Sequence, residues 1–254
     1  MRRVPGWGRV PVLALALGAA ALLAACGGPA SSSHETTKST PLSGQIANAV
    51  PSIPTGSTLL ANFHANTPSS AEPGGSPSGT VPATWHGAAS VLPVIGSRDN
   101  WVEVRLAQRP NESTAWVQAS EVTFSSTPYR MVVDLATTHL QLYKSNSLLM
   151  SAPIGIGIPQ SPTPTGDFFV AFFAQPPSAG YGPFVMVTSA HSNTITDWEQ
   201  SGDAMIAIHG PLGASSEIGT TGAAVSHGCI RLQLTDLSQL RAVPVGSPLK
   251  VIDS

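Results

Sequence analysis

The chain has 254 residues, enough to bury a sizeable core, and this length predicts one or two domains together with unstructured parts. Charged residues make up 10% of the composition, the formal net charge is −2 and no basic patch is present, so we expect no nucleic acid partner. The 24 glycines and 23 prolines favour turns and strands over long helices, which predicts a mainly β fold class.

The N-terminal segment has the features of an export signal that ends at a lipid attachment site. An arginine-rich start precedes an uncharged apolar run over residues 10–25, which is short for a membrane-spanning helix. Residues 1–25 are therefore predicted to be a signal peptide. The sequence LAACG around Cys26 resembles a bacterial lipobox, which implies lipidation of Cys26 and anchoring on the outer face of the cytoplasmic membrane. An ordinary signal peptide that happens to contain a cysteine is the alternative.

The segment after the lipobox is rich in small and polar residues. Residues 26–80 contain runs such as GGSPSG and show no hydrophobic periodicity. Such a composition cannot bury enough apolar surface to form a core. We therefore predict a flexible linker, or tether, between the lipid and the folded part of the chain.

Residues 81–125 contain several short strand candidates. Residues 100–106 alternate with period two, and residues 90–95 and 115–118 are further candidates. Short strands at close spacing predict a small barrel. The pattern WVEVRL followed by RPNESTAWVQASEV resembles bacterial SH3-like domains, which implies a small SH3-like barrel that binds or braces rather than catalyses.

Residues 129–252 form the largest predicted unit, which is β-rich with little helix. A buried strand over residues 205–208 delivers His209 at its end. One helix is predicted near the C-terminus, with Thr235 as its N-cap and Pro244 at its end. The other strands of this unit are predicted over residues 131–135, 140–144, 148–158, 168–174 and 184–189.

Cys229 is a candidate reactive residue. With Cys26 assigned to the lipid, Cys229 is a lone thiol outside the cytoplasm, where oxidation threatens it. The alternative is a buried, unreactive cysteine with a purely structural role. Two histidines could take the proton of the thiol: His209 from another strand, and His227 from the same loop, with Gly228 supplying the turn between them.

The same three side chains could instead form a structural zinc site, because histidine and cysteine are both zinc ligands. A second cysteine is missing, however, and the His-x-Cys spacing of His227 and Cys229 is tight for tetrahedral coordination. We therefore favour acyl chemistry at Cys229 over metal binding, and we expect neither a metal nor an organic cofactor.

The run SHGCIRL at residues 226–232, with the upstream His-Gly pair at residues 209–210, resembles the signature of the YkuD-type L,D-transpeptidases. The likeness extends over roughly residues 129–252 and includes YRMVVDLATTHLQLY, APIGIG, TPTGDF and VPVGSPLKVI. It implies a YkuD-like catalytic domain that forms third-to-third crosslinks in peptidoglycan through a cysteine thioester. The partners implied are stem peptides, as acyl donor and as acceptor.

The resemblance also implies a role for each residue of the signature. Cys229 is the nucleophile and His209 is its general base, whose ring a backbone carbonyl near Gly210 could orient. Ser226 and His227 are implied to support the site. Gly228 lets the backbone approach the substrate closely, and the amides of Gly228 and Cys229 form an oxyanion hole. Arg231 orients a carboxylate of the stem peptide.

Two other functions stay open at this point. An L,D-carboxypeptidase would use the same residues, with water replacing the acceptor amine and the stem simply trimmed. A non-catalytic wall-binding lipoprotein would act through the SH3-like domain, but the intact cysteine and histidines argue against it.

Overall fold

Two β-sheets make up most of the computed structural model, which describes residues 50–220 and 223–254. Both sheets lie in one compact unit. The predicted signal peptide over residues 1–25, the predicted lipidation site at Cys26 and the linker up to residue 49 lie outside the described residues.

The first sheet has five strands in the order β8-β7-β6-β1-β9, and all neighbours are antiparallel. Two small two-stranded sheets, β2-β3 and β4-β5, accompany it. The strands of this half are β1 Thr58–Asn62, β2 Thr67–Ser69, β3 Gly79–Val81, β4 Thr84–Trp85, β5 Ala88–Ala89, β6 Val91–Arg98, β7 Trp101–Arg105, β8 Thr114–Gln118 and β9 Thr123–Thr127.

The prediction of a flexible linker through residue 80 is wrong for the part that begins with β1. This strand lies inside the five-stranded sheet, between β6 and β9, and its Leu60 and Ala61 are buried. The domain boundary predicted at residue 81 therefore moves to about Thr58. A composition-based argument misses β1 because its partners are about thirty or more residues away in sequence, and only their apolar faces make its burial favourable.

The second sheet has eight strands in the order β12-β11-β10-β19-β14-β15-β16-β18, and β13 pairs with β17 beside it. Strand β19 joins β10 in parallel, so the C-terminal strand lies in the middle of the sheet. The strands are β10 Tyr129–Asp134, β11 His139–Lys144, β12 Ser147–Pro153, β13 Ile156–Gly157, β14 Gly166–Ala174, β15 Val185–His191, β16 Met205–His209, β17 Ala224–Ser226, β18 Ile230–Arg231 and β19 Pro248–Ile252.

Two local predictions in this half need correction. The strand expected over residues 148–158 divides into β12, which pairs with β11, and β13, which pairs with β17. The helix α1 covers Leu234–Gln239, so Thr235 lies inside it and is not the N-cap. Its first turn is closed by a hydrogen bond from the Leu237 amide to the Gln233 carbonyl at 2.9 Å.

In residues 50–220 and 223–254, the remaining helical segments are three 3₁₀ turns, at Ala119–Glu121, Ala179–Tyr181 and Leu240–Ala242. Among the described residues, no helix is long and apolar enough to span a membrane.

Strand β14 couples the two sheets because successive side chains of a strand point to opposite faces. Phe168 and Val170 lie in the core under the eight-stranded sheet and α1. Phe169 and Ala171 point the other way and pack with the core of the five-stranded sheet. The two halves of the described chain therefore share a continuous apolar contact through one strand.

Candidate active site

Parallel pairing of β16 and β18 brings the predicted nucleophile and base to one place. His209 and Arg231 are direct partners in the register of the two strands. Ala207 and His209 share a face of β16 because they lie two residues apart on that strand, and Cys229 lies just before β18, two residues ahead of Arg231. All four line a cavity of about 400 Å³.

His209 is held in one tautomer by its own backbone neighbour. It is only 3% exposed, and its Nδ1 lies 2.8 Å from the carbonyl oxygen of Gly210. Because a carbonyl oxygen only accepts hydrogen bonds, Nδ1 carries the hydrogen and Nε2 keeps its lone pair. The ring of Tyr181, whose carbonyl accepts from the Gly210 amide, lies 4.7 Å from the His209 ring. His209 is thus oriented as a proton acceptor through Nε2.

Burial is the main cause that lowers the pKa of His209 to about 4, and the positive charge of Arg231 lowers it further. The hydrogen bond to Gly210 acts in the opposite direction but is outweighed. The imidazole is therefore neutral at physiological pH and available as a base.

Cys229 packs beside Val185, Val187 and Ala207, and it is a partly buried free thiol. Burial raises the pKa of the Cys229 thiol, although the Ala207 amide and the charge of Arg231 oppose this rise. The resting site is therefore a neutral thiol beside a neutral imidazole. Proton transfer from Sγ to Nε2 must accompany the attack of sulfur on a carbonyl carbon.

The loop before the nucleophile is fixed by short hydrogen bonds. The Ser226 hydroxyl donates to the Cys229 carbonyl at 2.6 Å and accepts from the Gly228 amide at 3.1 Å. Gly228 has a φ of 121°, and a Cβ at this position would lie 2.7 Å from Ile206. Glycine is favoured here because the positive φ strains any residue with a Cβ, and the end of the Ile206 side chain would also have to shift.

This geometry changes the role predicted for the Gly228 amide. Because that amide already donates to the Ser226 hydroxyl, it is not free to stabilise an oxyanion. The Cys229 amide is left as the candidate donor. Gly228 instead contributes the tight turn that presents the thiol to the cavity.

Two residues outside the signature hold the same loop from the other side. The Thr163 hydroxyl donates to the Gly228 carbonyl, and the Ser161 hydroxyl donates to the His227 carbonyl, each at 2.8 Å. Sequence reasoning assigned no role to either residue. The one signal available was the TPTGDF run, which begins at Thr163.

His227 lies on the cavity rim in a different environment from His209. Its side chain is exposed, and its ring packs 5.1 Å from the ring of Trp198 at an angle of 45°. The sheet therefore fixes His209, whereas His227 depends on the loops around it.

Arg231 presents a cationic group to the same cavity. Its Nη1 donates weakly to the Pro211 carbonyl at 3.4 Å. Its buried Nε finds no acceptor among the described residues. Because Arg231 lines the cavity, its guanidinium is suited to bind a carboxylate there.

A wall of the cavity that sequence reasoning missed comes from the first half of the chain. His86 lines the cavity and stacks on Phe172, with ring centroids 5.5 Å apart and planes at 25°. His86 adopts a φ of 48°, which turns the chain between β4 and β5. No local pattern around His86 could reveal that it faces a cysteine more than a hundred residues away.

Within residues 50–220 and 223–254, no three histidine, cysteine, aspartate or glutamate side chains are grouped so that they could hold a metal ion. In particular, His209, His227 and Cys229 share the cavity without forming a ligand cluster. The geometry thus favours the nucleophile and base interpretation of these residues over the zinc interpretation.

Comparison with known proteins gives a consistent family for the second half of the chain. Residues 128–251 match the family model YkuD, described as the L,D-transpeptidase catalytic domain. Two curated relatives named L,D-transpeptidase YkuD, from Bacillus licheniformis and Bacillus subtilis, are 30% and 27% identical over 125 residues. These alignments cover 49% of this chain, and the chain spans only 66% of the length of each relative.

Among solved structures, an L,D-transpeptidase from Mycobacterium smegmatis aligns over 60% of this chain and 90% of its own. The sequence identity is 18% and the TM-score is 0.37.

Proposed function

We propose that the chain is a peptidoglycan L,D-transpeptidase, and that residues 128–251, which match the family model of YkuD L,D-transpeptidase catalytic domains, form its catalytic domain. One observation carries this proposal. Cys229 and His209 line the same cavity, His209 at the end of β16 and Cys229 just before the adjacent parallel strand β18, with Nε2 of His209 free to accept a proton. This is the arrangement that a thiol nucleophile and its general base require.

In the first step, Cys229 Sγ attacks the carbonyl carbon of the third residue of a donor tetrapeptide stem. The thiol proton passes to Nε2 of His209 as the C–S bond forms. Collapse of the tetrahedral intermediate breaks the bond to the nitrogen of the terminal D-alanine. His209 returns the proton to that nitrogen, D-alanine leaves, and a thioester remains on Cys229.

In the second step, an amine on the third residue of a neighbouring stem attacks the thioester carbonyl. Its proton passes to His209 and then to the departing sulfur, so Cys229 is regenerated as a thiol. The product is a third-to-third crosslink. The steps as written use only side chains of this chain and the two stems, with no metal or organic cofactor.

Two groups bind charge on the substrate. The Arg231 guanidinium, which lines the cavity, fits a carboxylate of the stem. The Cys229 amide is the candidate donor to the oxyanion, because the Gly228 amide is bonded to Ser226.

The test is incubation of the purified full chain with disaccharide tetrapeptide, followed by mass spectrometry of the products. We expect a crosslinked dimer that has lost one D-alanine, and we expect none with Cys229→Ser. A trimmed tripeptide without dimer would identify a carboxypeptidase instead. Absence of both products, together with no mass increase on Cys229 after exposure to a carbapenem, would leave a non-catalytic wall-binding protein.

We also propose that the mature protein begins at Cys26, carries lipid there and is held on the outer face of the membrane. The support is the lipobox-like LAACG sequence after the apolar run of residues 10–25. Fractionation of cells tests this: wild type should partition with membranes, and Cys26→Ala should not be acylated. Recovery of soluble protein cleaved at another position would contradict the anchor.

A further inference from the structure

The outer wall of the catalytic cavity is the segment between β15 and β16, residues 192–204, here called the wall segment. It is tied at its base, where the Ser192 amide donates to the Ala204 carbonyl at 2.8 Å. Trp198 near its tip is 41% exposed. The cavity-lining members of the wall segment are Ser192, Ile195, Trp198, Glu199, Ser201, Asp203 and Ala204.

A single side chain from the first half of the chain holds both ends of the wall segment. Arg109 lies in the loop between β7 and β8. Its Nε donates to the Asp203 carboxylate at 2.9 Å, its Nη1 to the Ser192 carbonyl at 2.9 Å and its Nη2 to the Ile195 carbonyl at 3.0 Å. The planar guanidinium is suited to this task because it presents several donors in a fixed geometry.

Neighbouring groups reinforce this contact. Asn111, two residues after Arg109, exchanges two hydrogen bonds of 2.8 Å with the backbone of His191, just before the wall segment. The buried His191 ring lies between the two halves, with Nε2 2.8 Å from the Ala107 carbonyl and Nδ1 2.8 Å from Asp203. Asp203 also accepts a hydrogen bond from the Ala204 amide at 2.7 Å, which makes it a fixed anchor for Arg109.

The wall segment in turn touches the nucleophile loop. The Thr194 hydroxyl donates to the Ser161 hydroxyl at 3.3 Å, and Ser161 donates to the His227 carbonyl at 2.8 Å. The rings of Trp198 and His227 pack 5.1 Å apart. A continuous path of contacts thus leads from Arg109 to a carbonyl two residues before Cys229.

We propose that Arg109 is a positioning residue for the acyl transfer. It fixes the wall segment as the substrate-binding face opposite Cys229 and, through Thr194 and Ser161, steadies the nucleophile loop. This inference rests on the proposed function. It makes the five-stranded sheet part of the active centre rather than an independent binding module.

The test compares Arg109→Ala with Glu112→Ala, a matched control from the same loop. The Glu112 carboxylate accepts a hydrogen bond from the Asp167 amide on β14, and neither residue lines the cavity. Both variants lose one side chain that links the two halves of the chain, but only Arg109→Ala frees the wall segment.

Two measurements are made on each full-length variant. The first is the KM and kcat of crosslinking, and the second is the rate of Cys229 alkylation by iodoacetamide. Arg109→Ala should raise KM about ten- to hundredfold with a smaller fall in kcat, because the binding face is misplaced. The partly buried Cys229 thiol of Arg109→Ala should also be alkylated faster than that of wild type. Glu112→Ala should resemble wild type in both measurements.

Arg109→Lys supplies a second variant that keeps the charge next to Asp203 but cannot reach three acceptors at once. We expect its KM to lie between those of wild type and Arg109→Ala, and it carries the test if the alanine variant does not fold. The proposal is overturned if the Arg109 variants match Glu112→Ala in KM and in alkylation. A wild type that makes no crosslink defeats the proposed function instead, and the alkylation rates still decide the role of Arg109.

Discussion

His209 and Arg231 lie directly opposite each other on the parallel strands β16 and β18. The register therefore places a permanent positive charge beside a histidine that the sheet has already buried. Both effects disfavour the imidazolium form, and together they hold the pKa of His209 near 4. The proposed general base is thus kept unprotonated mainly by burial, with the charge of Arg231 on the partner strand as a further cause.

This relationship predicts the titration of the His209 ring. In wild type, the NMR signals of the His209 ring should titrate with a midpoint near pH 4. Arg231→Gln should raise that pKa, because the repulsive charge is gone. The new midpoint should still lie below 6.5, since burial is the larger cause and persists. An unchanged midpoint in Arg231→Gln would show that the charge does not reach the imidazole.

Substitution of Cys229 and substitution of His209 should slow acyl-enzyme formation to different extents. Cys229→Ser should abolish the acyl-enzyme almost completely, because a serine hydroxyl is a far weaker nucleophile at its own pKa. His209→Ala should slow acylation by about two to four orders of magnitude, the usual contribution of a general base. Mass spectrometry of the acyl-enzyme against time measures both. Rapid acylation of Cys229→Ser would remove the thioester from the mechanism.

His227 should prove to be a supporting residue and not the base. Iodoacetamide alkylation of Cys229 measured against pH separates the two histidines. Wild type should react at neutral pH with help from His209 and react faster at alkaline pH as the thiolate forms. His209→Ala should keep only the alkaline rise, whereas His227→Ala should keep both parts of the profile. The opposite pattern would assign the base to His227.

The lowered pKa of His209 also predicts how stability depends on pH. The unfolded chain takes up a proton near pH 6.5 and the folded chain only near 4, so stability should fall as pH falls between these values. The difference corresponds to roughly 3 kcal/mol at 1.36 kcal/mol per pKa unit. Urea unfolding at pH 7 and at pH 4.5 measures it, and His209→Gln should lose most of the effect.

Asp203 provides the internal comparison for that experiment. Partial burial opposes its ionisation, but hydrogen bonds from the Ala204 amide, His191 and Arg109 lower the pKa of the Asp203 carboxyl below its usual value of 3.8. The stability that Asp203 contributes is present above pH 3.8 and is lost as pH falls through the lower folded pKa. A loss of stability between pH 7 and 4.5 that persists unchanged in His209→Gln would therefore have another origin.

The position of β1 predicts which part of the chain resists proteolysis. Because β1 pairs on both sides within the five-stranded sheet, the chain from Thr58 to Val81 should resist cleavage together with the rest of that sheet. Limited proteolysis followed by N-terminal sequencing should give a resistant fragment that starts before Thr58. A fragment that starts near residue 81 would restore the longer flexible linker.

The sequence by itself predicted most of the strands and restricted the chemistry of the site. The period-two alternation at residues 100–106 and the buried run ending at His209 are local patterns, and local patterns suffice to identify strands of this kind. The combination of a lone thiol, two histidines and a glycine in one short run likewise restricted the chemistry to nucleophilic catalysis or metal binding.

Tertiary structure decided everything that depends on distant partners. The burial of β1, the engagement of the Gly228 amide by Ser226 and the hold of Arg109 on the wall segment all require atoms that chain topology brings together. The low pKa of His209 belongs to the same group, since burial and the opposite Arg231 both arise from strand pairing. Hydrogen bonds and charge interactions act over a few ångströms in space, and separation along the chain gives no measure of that distance.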